Sequence, residues 1–295
     1  MVGTGDRQNV ATYLKGTYKI SITRACKVIC LPKSMFYYQS VKDDSQVANK
    51  LLEMAALRPR EGQDKIYQRL RLEGFHWNKK RIGRIYLKLG LNLRRKVNKR
   101  IVGRVKKPLV QVDQPNQTWS MDFMSDALDN GRRFRVLNLI DDFNRKAISV
   151  EAEFTFPTVG VIQTLKRAIG EQGRPKKIRV DNGPEFTSLE FNQWCGAQKI
   201  ELLHIQPGRP MQNGYIERFN RTFRQDVLDM HLFSEIDQVR DIIEQWMEDY
   251  NRKRPHEALG GITPYQAETK FSSKQACLDE KLTNSKQKKV HLYPV

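Results

Sequence analysis

Two hydrophobic periods divide the chain. Through Gly90 the apolar positions step by three and four, as the buried face of a helix does, and from Gln117 onward stretches of period two alternate with helical ones. Ser21 heads a helix through Ile22, Ala25, Cys26 and Ile29. After a turn at Cys30 and Leu31, Pro32 suits the first turn of a second helix carrying Met35, Phe36, Tyr37 and Tyr38. This pair reads equally as a helix-turn-helix and as a plain helical hairpin. Residues 46–57 form a further helix through Val47, Leu51 and Met54. Asp64 is the expected cap of a helix through Ile66, Tyr67 and Leu70 that stops at Gly74, and Asn78 caps the next, through Ile82, Ile85, Tyr86 and Leu89. Beyond residue 117, Trp119, Met121 and Phe123 alternate with Ser120, Asp122 and Met124 in a short strand, and Asp129, Asn130 and Gly131 turn it into a second strand. A third strand covers 146–152. Pro157 starts a helix through Val161, Ile162, Leu165 and Ile169, followed by a strand ending at Asp181, a helix at 191–197, a strand at 200–205 and a helix after Asn213. Ser234 and Asp237 read as a capping pair for a last long helix through Val239, Ile243, Trp246 and Tyr250. The expected fold class is α/β, a mixed sheet covered on both faces and preceded by an all-α region.

Charge sharpens that division. Residues 1–112 hold 26 Lys and Arg against 7 Asp and Glu, and the remaining residues hold 26 of each, so the whole net charge of +19 lies in the N-terminal part. A basic module joined to a neutral one suggests phosphate-backbone binding in the first and chemistry in the second. On the helix after Asn78, Lys80, Arg84 and Lys88 step by four with Lys79 and Arg81 beside them, and the basic run continues from Arg94 to Lys107 without an acidic residue. The expected organisation is a short helix-turn-helix candidate at 1–45, a second helical DNA-binding domain at 46–90, a basic linker at 91–114, a catalytic core at 115–270 and a tail at 271–295. Four scattered cysteines exclude a disulfide framework. Cys26 and Cys30, with no histidine nearby, read as small buried residues rather than half a zinc site. No apolar run reaches membrane-spanning length, and a cytoplasmic location is expected.

Three carboxylates then stand out. Asp122 lies inside a strand, Asp181 ends another in the run KIRVDNGPEF, and Glu217 falls in the first turns of a helix whose Tyr215, Phe219 and Phe223 share a packing face. Magnesium takes hard oxygen ligands and leaves positions for water and phosphate, and two ions can stabilise the attacking and leaving oxygens of an in-line displacement. Asp126, Asp141 and Asp142 have a plainer reading at strand turns, where aspartate is favoured, and Glu185 reads as a helix cap or DNA contact. His204 is expected as a strand residue near the site and His256 as a structural residue at a helix end. Arg209, Gln212 and Asn213, in and after the Pro-rich loop before Glu217, are expected to touch DNA.

Thirty-five residues separate Asp181 from Glu217, and Arg224 follows Glu217 by seven. Together with GRPMQNGYIERFNRTFR and the stretch WMEDYNRKRPHEALGGITPYQAE, these motifs resemble the second-frame transposases of the IS-three group of bacterial insertion sequences, within the DDE retroviral-integrase-like superfamily. The resemblance covers roughly residues 20–268. It implies a ribonuclease H-like core in which Asp122, Asp181 and Glu217 are catalytic and hold two magnesium ions, with manganese as a substitute. It implies nicking of an element end followed by attack of the freed 3′-hydroxyl on another phosphodiester, by a homo-oligomer assembled on DNA in the nucleoid. It also implies a partner, an upstream-frame product joined by programmed frameshift. A structure-directed nuclease of the same fold and a DNA-binding repressor with an inert core are the alternatives. Members of the group begin the first helix of the second helical domain with a Gly-Tyr-Arg-Arg-Ile-like run where this chain has Gly62, Gln63, Asp64, Lys65 and Ile66, and they often carry Ser where Asn144 precedes Arg145.

Overall fold

The computed structural model describes residues 4–38, 43–93, 112–206 and 213–276. The chain divides into two compact units, residues 1–49 and 50–295. In the first, α1 (Thr4–Tyr18), α2 (Ile22–Val28) and α3 (Lys33–Tyr37) pack through Ala11, Ala25 and Cys26, with Leu14, Ile29 and Phe36 around them. Ser21 caps α2, its side chain accepting from the Arg24 amide. Helix α1 was not expected, because its apolar positions are sparse among polar ones. α3 has five residues. Cys30, expected to be buried, is exposed, because it sits past the end of α2 with φ +51°.

α4 (Ser45–Leu57) leads into the second unit, where α5 (Gln63–Leu72) and α6 (Lys79–Lys88) form a helical pair. Asn78 caps α6 as expected, accepting from the Lys80 amide at 2.8 Å. Asp64 is not the cap of α5. Gly62 holds that position, and Asp64 lies in the first turn, where its carboxylate meets Lys79 at 2.8 Å. Arg69 of α5 is buried and donates to both oxygens of buried Glu61, at 2.7 and 2.9 Å, and to Asp249 at 3.0 Å. Arg58 reaches the same Asp249 at 2.5 Å.

The sheet has strand order β3-β2-β1-β4-β5. β1 (Thr118–Ala127), β2 (Arg133–Asp141) and β3 (Ala147–Glu153) run antiparallel, and β4 (Lys177–Val180) and β5 (Glu201–His204) join parallel to β1. Gly131, at φ +82°, supplies the left-handed residue of the β1–β2 turn. Alternation along the strands builds two cores. Trp119, Met121, Leu137, Leu139, Ile178 and Val180 pack on one face with residues of α7 (Thr158–Gln172) and α9 (Leu189–Ala197). α8 (Pro184–Thr187) lies between β4 and α9 and adds buried Phe186. Met124, Val136, Ile140 and Val150 pack on the other face with α10 (Gly214–Phe223) and α11 (Ile236–Arg252). A π-helical turn over Arg224–Leu228 follows α10, and residues 264–276 form α12.

The expected Ser234–Asp237 capping pair is replaced. Glu235 is at the cap position, the Ser234 amide donates to Gln238 at 3.0 Å, and Asp237 pairs with Arg240. Gln238, four residues after Ser234, reaches back to it with the longer side chain. Among the described residues no helix is long and apolar enough to cross a membrane.

Candidate active site

Asp122 sits in the middle of β1 on the face covered by α10. Its carboxylate accepts from the Phe123 amide at 2.9 Å and from Asn220 Nδ2 of α10 at 2.7 Å. Asn220 Oδ1 in turn accepts from Asn138 Nδ2 at 2.7 Å, and Asn138 is the residue paired with Asp122 across the β1–β2 ladder. Asn138 is fully buried between the apolar pairs Val136, Leu137 and Leu139, Ile140 of β2, and this relay fixes the orientation of the Asp122 carboxylate from below. Sequence reasoning missed both asparagines. A polar residue inside RVLNLID was the available signal.

Asp181 follows β4, the parallel neighbour of β1. The Gly183 amide donates to its Oδ1 at 2.9 Å, and a Cβ at Gly183 would stand 3.0 Å from that same oxygen, so glycine leaves the carboxylate its room. Glu217 is exposed in the first turn of α10, while Ile216, Phe219 and Phe223 of the same helix are buried. The packing face therefore holds Glu217 over the sheet without covering it. Burial first, and the Asp181 carboxylate second, push the Asp122 carboxyl up to about 6, with a smaller contribution from Glu217. Asp181 and Glu217 are thus both close enough for their charges to act on Asp122. Among the described residues, none of the three is ion-paired to Lys or Arg, and no three Asp, Glu, His or Cys side chains stand close enough to hold an ion as they are oriented. Convergence on a cation requires these side chains to move. The donor set itself fits a hard divalent cation: it consists of carboxylate oxygens with no cationic side chain paired to them among the described residues.

The competing acids are accounted for elsewhere. Asp141 ends β2 and Asp142 lies in the turn after it, as expected, and both are buried. Asp142 accepts from Ser120 Oγ at 2.6 Å and pairs with Arg179 of β4, and Asp141 accepts from the Asn116 and Phe143 amides, both at 2.8 Å. Glu185 lies in the first turn of α8 and pairs with Arg135. Arg224 meets Asp126 at 3.3 Å and donates to the Ser125 carbonyl at 2.9 Å, which ties it to the end of β1. His204 ends β5 with Nδ1 3.4 Å from the Asp181 carbonyl. Asn213, expected at a DNA surface, is buried at the start of α10. Arg209 and Gln212 lie outside the described residues, as do Arg94 to Lys107. On α6, Lys79, Lys80, Arg84 and Lys88 are exposed and Arg81 is half-buried, opposite the buried Ile82, Ile85 and Tyr86.

A five-stranded sheet of this order, with acids inside β1, after β4 and on the helix crossing β1, defines a ribonuclease H-like core of the polynucleotidyl transferase class. The integrase core domain family matches residues 112–210 and 198–264. The chain is 39% identical over 247 residues to the insertion element IS407 uncharacterized 31.7 kDa protein of Burkholderia multivorans, covering 83% of this chain and 89% of that one. It is 27% identical to the transposase InsD for insertion element IS2 of Escherichia coli, covering 80% of this chain and 81% of the relative. The structure of the HTLV-2 integrase catalytic core domain in complex with magnesium matches 52% of this chain and 97% of its own, at 23% identity and a TM-score of 0.42. The chain belongs to the integrase-core (DDE-type) transposases of bacterial insertion elements, a family of enzymes that cut DNA strands and join them.

Proposed function

We propose that Asp122, Asp181 and Glu217 are the catalytic carboxylates of this transposase and together hold magnesium. The observation that carries the reading is the Asp122 carboxyl, buried at the centre of β1, lifted to about 6 partly by Asp181, and left without a cationic partner among the described residues. A bound divalent cation, with two ions as the expected number and manganese as a substitute, would neutralise charge developing on a phosphodiester during in-line displacement. The chain's own contribution is positional. Asn138 and Asn220 hold Asp122 on the side facing α10, the Gly183 amide holds Asp181, and the packed face of α10 presents Glu217 to solvent, where a DNA strand can approach. Hydrolytic nicking of an element end and attack of the freed 3′-hydroxyl on a second phosphodiester are the same displacement at phosphorus, so one site serves both.

The basic face of α6, with Lys79, Lys80, Arg81, Arg84 and Lys88, is read as the duplex-binding surface of the helical domain at 46–90, and the basic linker at 91–114 extends it. Arg209, Gln212 and Arg224 are read as contacts near the reacting strand. The protein is expected to work in the bacterial cytoplasm as an oligomer on DNA, joined to an upstream-frame product. Incubation of labelled element ends with the protein, the upstream-frame product and magnesium tests the reading: strand-joined products support it, cleavage alone makes the protein a nuclease, and binding without products makes it a repressor.

A further inference from the structure

The helix that carries Glu217 has a second polar face. Tyr215, Arg218 and Thr222, three and four apart, line a cavity of about 190 Å³ closed by Lys65 of α5, Arg145 of the β2–β3 turn and the segment from Arg254 to Ala258. Its charge is one-sided. Arg254 is spent on Asp226 and on Glu61, the latter at 3.4 Å. Among the described residues, Lys65, Arg145 and Arg218 have no carboxylate at ion-pair distance, although Glu61 and Asp226 act on Lys65 and Asp142 on Arg145 from further off, and the one carboxylate in the lining is exposed Glu257.

Two polar atoms in this lining are buried and have no partner among the described residues: Arg145 Nη1 and His256 Nε2. Arg145 is held at φ +61°, an unusual conformation for a non-glycine residue, and its guanidinium stacks 3.5 Å from the centre of the Tyr215 ring. Asn144 supports that turn, its side chain accepting from the Lys146 amide at 3.0 Å. The turn therefore directs a guanidinium inward that could otherwise extend into solvent. Burial, and then Arg254, Lys65 and Arg145, push the His256 imidazole down to about 3, so it is neutral near pH 7 and able to donate a hydrogen bond without adding charge.

We propose that this cavity is a phosphate-binding pocket that takes a non-scissile phosphodiester of the DNA, with Arg145, Arg218, Lys65 and His256 Nε2 as its donors. A planar guanidinium fork matches two phosphate oxygens, and the excess of cations over the single lining carboxylate, Glu257, supplies the field that favours an anion. Because Arg218 follows Glu217 directly on α10, a phosphate seated here would set the distance between the DNA backbone and the acidic site. The choice of DNA as the source of the phosphate rests on the transposase reading; the anion chemistry of the pocket does not.

The test uses the full chain in EDTA, so that neither arm depends on catalysis. In the first arm the Tm is followed against inorganic phosphate, with sodium chloride at matched ionic strength as the control. The wild type should gain Tm in phosphate beyond the chloride control, and Lys65→Gln with Arg218→Gln, both at half-exposed or exposed positions, should lose that gain while keeping the wild-type Tm in chloride. In the second arm duplex binding is titrated with salt. The log–log slope of the double variant should fall by about 0.9 for each lost contact, roughly 1.8 in all. No phosphate-specific gain in the wild type overturns the pocket. A gain in Tm with an unchanged duplex slope overturns the DNA assignment and gives the pocket to free phosphate. Failure of the transposase reading would appear separately, as absence of joined products with both arms intact.

Discussion

Asn220 shows what a single side chain does at this site. It bridges Asp122 on β1 and Asn138 on β2, so it sets the direction in which the Asp122 oxygens point without itself being a ligand candidate. Asn220→Ala should lower strand cleavage about 10- to 100-fold, the range seen when a group that orients a metal ligand is removed. Duplex affinity should stay at the wild-type value, and the half-saturating magnesium concentration should rise; an unchanged magnesium dependence with full activity would remove Asn220 from the site. His256 gives a pH prediction. Its pKa in the folded chain is lowered from 6.5 to about 3, so the native state keeps it neutral while the unfolded chain takes up a proton. The contribution to stability is present above about pH 6.5 and is lost as pH falls toward 3, with a slope of up to about 1.4 kcal/mol per pH unit. Urea unfolding of His256→Asn should show a shallower loss over that window, and an identical acid limb would contradict the assignment.

At the scale of elements, α5 is fastened to the catalytic core by buried charge. Arg69 joins Glu61 to Asp249 of α11, and its side chain and that of Glu61 are 5% and 3% exposed, so neither charge has water to fall back on. Arg69→Met should destabilise the chain by about 3–5 kcal/mol, because it leaves Glu61 buried with only the longer contact to Arg254. A urea midpoint within error of wild type would show that the network contributes little. The elements themselves were largely legible. Alternation at Trp119, Met121 and Phe123 and steps of three and four at Ile82, Ile85 and Tyr86 follow directly from burial on one face, and Asn78 and Ser21 announce their helices because an N-cap needs a local acceptor. What escaped was long-range. The Asn138–Asn220–Asp122 relay joins positions 82 and 98 residues apart, and nothing local marks such partners. The Gln238–Ser234 contact at the start of α11 and the Gly62 cap of α5 turned on side-chain reach and on a backbone position with no side-chain acceptor.

For the whole molecule, most of the duplex affinity is expected from the basic N-terminal part and the chemistry from the sheet and α10. All of the net charge of +19 lies in residues 1–112, whereas the three acids belong to the sheet and α10. Neutralising Lys80, Arg84 and Lys88 together should weaken binding to every duplex sequence and reduce the salt slope by about 0.9 per lost contact, with little effect on rate at saturating DNA. An unchanged slope would move the main binding surface off α6. The acids should behave in the opposite way, because replacing a carboxylate by its amide removes a hard anionic ligand and leaves the basic face intact. The most direct measurement is therefore single-turnover cleavage and joining of labelled element ends in magnesium, with the upstream-frame product supplied, for Asp122→Asn, Asp181→Asn and Glu217→Gln beside wild type. Each variant should bind the ends with near wild-type affinity and yield neither cut nor joined product; near wild-type joining by any two of the three would contradict the assignment of the site.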